Sequence, residues 1–298
     1  MALQRRFLVF INPISGTQQK KGLKAYITNT LSLQQFYVEV LPTQQNGQYP
    51  FLKDKIAADN ITDVIICGGD GTVNQISSFL IDSNVHVGII PMGSGNGLAF
   101  AAGIPKNRTK ALAIILKNNA QPIDAFYINN QFSCMLCGIG FDAQVAHNFA
   151  EQPSRGLATY AKETTKHFFS AKPYRFKITA NQQTFTTQAF FISIANSNQF
   201  GNHVTIAPKA SLSDGLLDIV VVNKTNKLNL IIKLLQQIKA GKLGHISEQN
   251  KTIQYFQTEN IIIENLDNAP LHIDGEPSKT ATSFNINIIK NAFTLIHA

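Results

Sequence analysis

Apolar and polar positions alternate in two different ways along the chain, and the first way covers residues 1–125. Short apolar runs predict strands at 7–11, 37–43, 63–67 and 86–91. The other segments carry apolar residues at helical spacing and predict helices at 20–34, 50–59, 73–81, 94–102 and 108–117. Strands and helices that alternate in this way are typical of a parallel sheet covered by helices. We therefore expect residues 1–125 to form a Rossmann-like, three-layer α/β domain.

The pattern changes after Asp124, where short β-rich runs separated by Gly, Asn and Pro take over. They predict strands at 132–139, 174–180, 187–195, 216–222, 259–264 and 283–289, with helical stretches at 155–169 and 226–239. Such runs are typical of an antiparallel β-sandwich. We expect residues 126–290 to form this second domain, with a hinge near 122–130. The last residues, 291–298, fit either domain.

Composition narrows the class of protein. With 44% hydrophobic and 15% charged residues, the 298-residue sequence is typical of a globular protein with a sizeable core. No segment of the sequence is long and apolar enough to cross a bilayer. The three cysteines make no disulfide framework, and Cys134 and Cys137 lie in a strand-like run without the second pair that a zinc site needs. We therefore expect a cytoplasmic protein.

The charge balance points to a class of partner. Lys and Arg number 26 against 18 Asp and Glu, a net charge of +8. This excess favours nucleic acid, an anionic membrane surface or nucleotide phosphates, although it also fits a solvated basic surface with no such partner. We expect no nucleic-acid partner, because the sequence has no recognition-helix, zinc or RNA-binding motif. The basic, amphipathic segment 227–244 fits a helix on an anionic membrane, but we favour packing on its own domain with the lysines toward the membrane.

The stretch GGDGT, residues 68–72, is the first candidate for chemistry. It links a predicted strand to a predicted helix, and its glycines let the backbone approach a ligand closely. The start of a helix offers N–H groups and a positive dipole end to an anion. Asp70 repels phosphate, so it is better suited to position a metal ion or orient a hydroxyl. The alternative is a tight turn whose aspartate caps the helix.

Three further loops strengthen the phosphate interpretation. PMGSGNGLA (91–99) follows the fourth strand, INPISG (11–16) follows the first, and Thr43 ends the second. In a parallel sheet these strand ends lie on one edge, so the loops would line a single crevice. The sequence therefore predicts a phosphate-binding site there, although it has neither a GxxxxGK[ST] motif nor a GxGxxG motif with its acidic partner.

The motifs NPxSG, GGDGT and PxGSGN, in this order, resemble those of the diacylglycerol kinase catalytic-domain family, which includes bacterial soluble lipid kinases and sphingosine kinases. GIGFDA (138–143), IAPKASLSDGLLDIVVV (206–222) and HIDGEP (272–277) are similar to the bacterial pattern, so the resemblance covers essentially the whole chain. It implies a two-domain lipid kinase that uses ATP and Mg²⁺, with the nucleotide in the cleft between the domains. It also implies a lipid substrate at the inner face of the membrane, with which the protein associates peripherally.

The resemblance assigns roles by motif position. It implies that ATP is surrounded by Asn12, Ser15, Thr43, Gly68, Gly69, Asp70, Gly71, Thr72, Ser94 and Asn96. It implies a structural magnesium in the DGLLD turn, held by Asp214 and by the carbonyls of Ser211 and Leu216. It further implies Asp70 and Asp124 as carboxylates of the magnesium network and Glu276 as the general base.

Elementary chemistry agrees with these roles and also supplies alternatives. Positioning and charge neutralisation provide most of the acceleration of phosphoryl transfer, and a lipid hydroxyl needs a carboxylate to accept its proton. The alternative for Asp274-Gly275-Glu276 is a hairpin turn with solvated acids, and Asp214-Gly215 also fits a hairpin turn.

Two positions depart from the pattern of the family and leave other functions open. Gln75 stands where the family usually has glutamate, and Gly97 stands where the family often has aspartate. The GSGN form resembles the sphingosine kinase side of the family, which also lacks that second acid. A catalytically inactive protein that binds lipid or nucleotide therefore remains an alternative. An NAD kinase, which shares GGDGT and the two-domain plan, is another, but the NPxSG, GSGN and DGLLD motifs argue against it.

Overall fold

The structure is a computed structural model that describes residues 4–15, 22–150, 171–199, 207–225 and 252–298. The chain divides into two compact units, Met1–Ala125 with Lys290–Ala298 and Phe126–Ile289. The predicted helices at 155–169 and 226–239, and the basic segment 227–244, lie outside the described residues.

The first unit alternates strands and helices. Its elements are β1 (Arg6–Ile11), α1 (Leu23–Ser32), β2 (Tyr37–Pro42), α2 (Leu52–Ala58), β3 (Asp63–Gly68), α3 (Asp70–Ser77), β4 (His86–Pro91), α4 (Gly97–Ala101) and α5 (Arg108–Lys117). β3 is buried along its whole length, as a strand covered on both faces must be.

The strands of this unit pair in parallel in the order β2-β1-β3-β4. The end of a last strand, β15 (Ser283–Ile296), adds in parallel beside β4, where Thr294 pairs with His86. From β1 the chain first adds β2 on one side and then crosses to the other side of β1 to add β3 and β4. The switch point of the sheet therefore lies between β1 and β3. Open α/β sheets bind ligands at the carboxyl ends of the strands that flank such a switch point.

The opposite end of this sheet is held by an ion pair between half-buried Arg5 and buried Asp63. The guanidinium of Arg5 binds the carboxylate of fully buried Asp63 and donates to the carbonyls of Ile115 and Leu116 at 3.1 and 3.3 Å. These carbonyls lie in the last turn of α5, where the helix dipole favours a cation. The pair therefore fixes α5 to the starts of β1 and β3.

The second unit is built from antiparallel strands and one described helix. In addition to β15 its elements are β5 (Ala120–Ile128, which begins in the first unit), β6 (Gln131–Ser133), β7 (Leu136–Gly140), α6 (Phe141–Ala150), β8 (Tyr174–Ala180), β9 (Gln183–Ala195), β10 (Leu217–Asn223), β11 (Ile253–Thr258), β12 (Asn260–Asn265), β13 (Leu271–Ile273) and β14 (Glu276–Ser278).

Two apolar layers stabilise the second unit. One contains Ile139, Ile192 and Ile263 among many aliphatic residues, and the other packs Phe141 and Val145 of α6 against the sheet. The predicted fold class, an α/β domain followed by an antiparallel β-sandwich, is confirmed.

Several predicted boundaries need correction. α3 begins at Asp70 rather than Val73, because extended Gly69 lets the helix start at once and its first turn is polar. α4 begins at Gly97 rather than at residue 94. β11, β13 and β14 were not predicted, and the last two have only three residues each. The predicted hinge at 122–130 is instead largely the strand β5, whose apolar pattern is interrupted by Pro122 and Asp124, and the helix α6 was not predicted either.

Candidate functional site

The loops after the parallel strands lie side by side at the carboxyl edge of the first unit. Backbone pairing continues one residue beyond the strands: Asn12 N–H donates to Cys67 O, Thr43 N–H to Ile11 O, and Met92 N–H to Gly68 O. The sequence-based expectation that these four loops share one edge is met by this pairing. Of the predicted residues on this edge, Ser94 is exposed and Thr43 is half-buried, whereas the Oγ of half-buried Ser15 is shielded from solvent.

Asn12 connects the loops on the two sides of the switch point. Its Nδ2 donates to Thr72 Oγ1 at 2.7 Å, and its Oδ1 accepts the N–H of Ile14 at 2.9 Å. Thr72 folds back onto Gly68, where a Cβ would lie 2.5 Å from the Thr72 Cβ. Gly68 is therefore required for steric reasons.

Asp70 holds the loop that follows β4. Its Oδ2 accepts the N–H of Asn96 and its Oδ1 accepts the N–H of Gly97, both at 2.7 Å. The sequence left open the alternative that Asp70 caps its own helix. In the structure Asp70 instead binds N–H groups at the start of the next helix, α4.

The loops 68–72 and 93–97 also pack backbone to backbone. A Cβ on Gly93 would lie 2.7 Å from the Cα of Gly69, so a side chain there would drive the loops apart. Asn96 is buried with φ 55°, and its amide both accepts from Gly93 N–H and donates to Gly93 O at 2.8 Å. Asn96 therefore shapes the loop.

The two departures from the family pattern occupy different places. Gln75 is exposed on α3 and lies across Gly47, where a Cβ would come within 2.7 Å of its amide carbon. Gly97 is buried and supplies one of the N–H groups to Asp70.

Asp124 is buried in the first unit, 2% exposed, and its Oδ1 accepts the N–H of Asn291 at 2.8 Å. It thus secures the returning C-terminal segment. Within the described part of the chain, no group of three or more His, Cys, Asp or Glu side chains is arranged to hold a metal ion.

The DGLLD turn has two aspartates in different surroundings. Asp214 is exposed and its Oδ1 accepts the N–H of Leu216 at 3.1 Å, while the Ser211 hydroxyl accepts the N–H of Ser213 at 3.4 Å. Asp218 is fully buried and accepts a hydrogen bond from the Tyr255 hydroxyl. Burial raises the pKa of Asp218 to about 7, and the nearby Asp214 charge adds to the shift. The sequence alone predicts no role for Asp218, although the residue lies in the DGLLD motif.

The HIDGEP stretch forms a two-residue hairpin turn. Asp274 and Gly275 have φ of 48° and 84°, and positive φ at both positions is the signature of a type I′ turn. Glu276 is exposed at the start of β14 and pairs with Ile273. The alternative of a turn with solvated acids is right about the hairpin and about Glu276 but wrong about Asp274, which is only 4% exposed.

A second buried group lies beside this turn. Asp142 Oδ2 is 3.5 Å from Nε2 of His272, a fully buried residue, and both side chains cover Gly138. His272 Nδ1 accepts the N–H of Gly275 at 3.3 Å. No role was predicted for Asp142, His272 or Asp274, and the signal available in the sequence was their place in GIGFDA and HIDGEP.

Comparison with known proteins agrees with this architecture. Residues 6–128 match the diacylglycerol kinase catalytic domain, and residues 136–297 match the YegS C-terminal NAD kinase beta sandwich-like domain. A relative from Shewanella frigidimarina, named "Probable lipid kinase YegS-like", is 30% identical over 77% of this chain and 74% of its own. A diacylglycerol kinase from Bacillus subtilis is 24% identical over 91% of this chain and 90% of its own.

Solved structures show the same fold. A crystal structure from Bacillus anthracis has a TM-score of 0.82 at 24% identity, covering 100% of this chain and 98% of that one. A second, of a diacylglycerol kinase from the same organism, has a TM-score of 0.75 at 21% identity with the same coverage. Among the described residues, no helix has the length and hydropathy to cross a membrane.

Proposed function

The chain belongs to the lipid kinase family that combines a diacylglycerol kinase catalytic domain with a YegS-type C-terminal domain, and from this premise we propose that it transfers the γ-phosphate of ATP to the hydroxyl of a lipid. Membership supports kinase activity. The proposal adds the donor, the magnesium dependence and the acceptor, which is diacylglycerol, a sphingoid base or a related lipid with its hydroxyl beside apolar chains.

The observation that carries the proposal is the interlocked pair of loops 68–72 and 93–97. Asp70 clamps the second loop through two N–H bonds of 2.7 Å, and Gly69 and Gly93 allow the backbones to touch. These loops lie at the carboxyl edge of a parallel sheet, beside the switch point between β1 and β3, and the hydrogen bonds of the Gly93, Asn96 and Gly97 N–H groups to Asn96 and Asp70 fix the second loop. A loop backbone fixed in this way is suited to bind phosphates without rearrangement. We assign ATP binding to this edge, with Asn12 and Thr72 joining the two sides.

The residues expected to manage magnesium fit such an ion in their chemistry. Asp70, Asp124 and Asp214 offer carboxylate oxygens, and Ser211 and Leu216 offer main-chain carbonyl oxygens, which are the hard donors that Mg²⁺ prefers. When bound, Mg²⁺ neutralises charge on the phosphate oxygens. The structural site of the DGLLD turn would use Asp214, whose side chain is exposed.

Glu276 is the proposed proton acceptor. Its side chain is exposed, and its backbone is fixed by pairing with Ile273 directly after the turn. A carboxylate held in this way accepts the proton of the attacking lipid hydroxyl, while the loops of the first unit orient the triphosphate.

The test is transfer of labelled γ-phosphate from ATP to a panel of micellar lipids, with and without Mg²⁺. We expect a labelled, extractable lipid that forms only when Mg²⁺ is present, and its identity names the substrate. If ATP binds but no lipid is labelled, the catalytic proposal fails and the lipid- or nucleotide-binding homologue takes its place, with Gln75 and Gly97 as the first residues to revert.

An NAD kinase is the second candidate, because residues 136–297 match a domain family whose sandwich is similar to that of NAD kinase. The match of residues 6–128 to the diacylglycerol kinase catalytic domain favours the lipid. Including NAD in the same panel separates the two: label in NADP rather than in lipid would reverse the assignment.

We also propose that the protein meets its substrate at a membrane surface as a peripheral protein. The net charge of +8 supports this, since a basic protein is attracted to an anionic lipid surface.

A further inference from the structure

The turn between β13 and β14 is buried on one side, which sets it apart from an ordinary hairpin tip. Turns usually lie on the surface because their backbone and side-chain polar groups need water. Here Asp274 is 4% exposed, whereas Glu276, two residues later, is exposed. A carboxylate can be buried in this way only when hydrogen bonds replace the water it loses.

The segment 133–136 supplies those hydrogen bonds. Asp274 Oδ1 accepts from the Ser133 hydroxyl at 2.6 Å and from the N–H groups of Met135 and Leu136 at 3.1 and 3.0 Å. Its Oδ2 accepts from the N–H of Cys134 at 3.2 Å. Three successive backbone N–H groups that converge on one anion form a nest. The N–H of Asp274 also donates to Leu136 O at 2.8 Å, so side chain and backbone dock the turn together.

The other side of the turn is held by the buried histidine. The N–H of Gly275 donates to His272 Nδ1 at 3.3 Å. A neutral ring that accepts at Nδ1 carries its proton on Nε2, which lies 3.5 Å from Asp142 Oδ2. The two residues of the turn, Asp274 and Gly275, are thus fixed by separate parts of the chain.

We infer that Asp274 is a positioning residue for Glu276. It holds the turn in the nest of residues 133–136 and thereby fixes the backbone from which the Glu276 side chain projects. This inference rests on the proposed function, because it takes Glu276 as the proton acceptor. Fixing a reacting group matters since a displacement of about 1 Å can lower a rate by roughly 10²-fold.

Asp274→Asn is the variant that tests this inference. Asparagine has the same size, but its NH₂ group replaces one acceptor and faces N–H donors. We expect kcat for lipid phosphorylation to fall by roughly 10²-fold while KM for ATP stays unchanged. Ser133→Ala, which removes one donor only, should lower kcat less. Asp267→Asn, which changes a half-buried aspartate paired with exposed Arg175, is the control that should keep the wild-type kcat.

The Glu276→Gln background separates positioning from a purely structural role. If Asp274 acts through Glu276, Asp274→Asn causes no further loss of kcat once Glu276 is glutamine. An equal loss in both backgrounds, or a wild-type kcat for Asp274→Asn, would overturn the inference. Full activity of Glu276→Gln would overturn the proposed base and the positioning role with it.

Amide hydrogen exchange tests the nest without any turnover. The N–H groups of Cys134, Met135 and Leu136 should be protected in the wild-type protein and should exchange faster in Asp274→Asn, while amides of β3 stay protected. Unchanged exchange at these three amides would overturn the nest itself. A wild-type protein whose nest amides are protected but which phosphorylates no lipid would overturn the proposed function and the positioning role. It would leave the binding of Asp274 by the nest intact.

Discussion

At the scale of single residues, the site is shaped by side chains that bind backbone rather than by a row of free acids. The Asp70 carboxylate accepts hydrogen bonds from the N–H groups of Asn96 and Gly97, and the side-chain amide of Asn96 bonds both the N–H and the carbonyl of Gly93. The loops are therefore rigid before any ligand arrives, which is the condition for electrostatic preorganisation.

Asp70→Asn tests this view of the residue. Asparagine offers one acceptor oxygen to two N–H groups, so one of them loses its partner. We expect a loss of about 2 kcal/mol in the free energy of unfolding together with abolished phosphate transfer. Urea denaturation and the labelled-ATP assay measure the two effects. Asp54→Asn, at an exposed position of α2, is the control, and an Asp70→Asn protein with wild-type stability would show that the clamp contributes little.

At the scale of elements, the sheet of the first unit is secured at one end and open to a ligand at the other. The Arg5–Asp63 pair joins α5 to the starts of β1 and β3, far along the strands from the loops that follow their carboxyl ends. Glycine increases the conformational freedom of the unfolded chain. Because the ion pair fixes the opposite ends of the strands, the loops can contain glycine without loosening the sheet.

Arg5→Met is the prediction that belongs to this scale. It leaves Asp63 buried without its cation, so we expect the free energy of unfolding to fall by about 3–5 kcal/mol. Lys177→Met removes one partner of the exposed Lys177–Glu264 pair and should cost less than about 1 kcal/mol. Equal effects in urea denaturation would refute the structural role of the buried pair.

The sequence predicts much of the element order and of the first unit's loops, because both depend on local patterns. The GGDGT and GSGN stretches can be recognised by their high glycine content, and their position after apolar runs predicts that they lie on one sheet edge. The short strands β13 and β14 leave no such pattern.

The clamp on Asp274 could not be predicted, since its partners lie about 140 residues earlier in the chain. An Asp-Gly pair in sequence indicates a turn and by itself an exposed one. Only the fold brings the N–H groups of residues 133–136 to that carboxylate.

At the scale of the whole molecule, charge and family membership point to a lipid surface. The net charge of +8 is spread over a chain whose described helices include none that crosses a membrane. The proposed attraction to anionic lipid is electrostatic, so we expect it to weaken as salt screens it.

Vesicle binding tests this attraction. We expect co-sedimentation with vesicles that contain anionic phospholipid, weaker binding to neutral vesicles, and loss of the difference as ionic strength rises above about 0.5 M. Duplex DNA at the same phosphate concentration is the control. Stronger binding to DNA than to anionic vesicles would contradict the expectation of a lipid partner without nucleic acid.

The central claim is that Glu276 accepts the lipid proton while the glycine loops hold ATP. The most direct test is the rate of labelled phosphate transfer to the preferred lipid by the wild-type protein and by Glu276→Gln, with ATP affinity measured on both. We predict that Glu276→Gln lowers kcat by at least about 10²-fold with ATP affinity unchanged. Full turnover by Glu276→Gln would contradict the account.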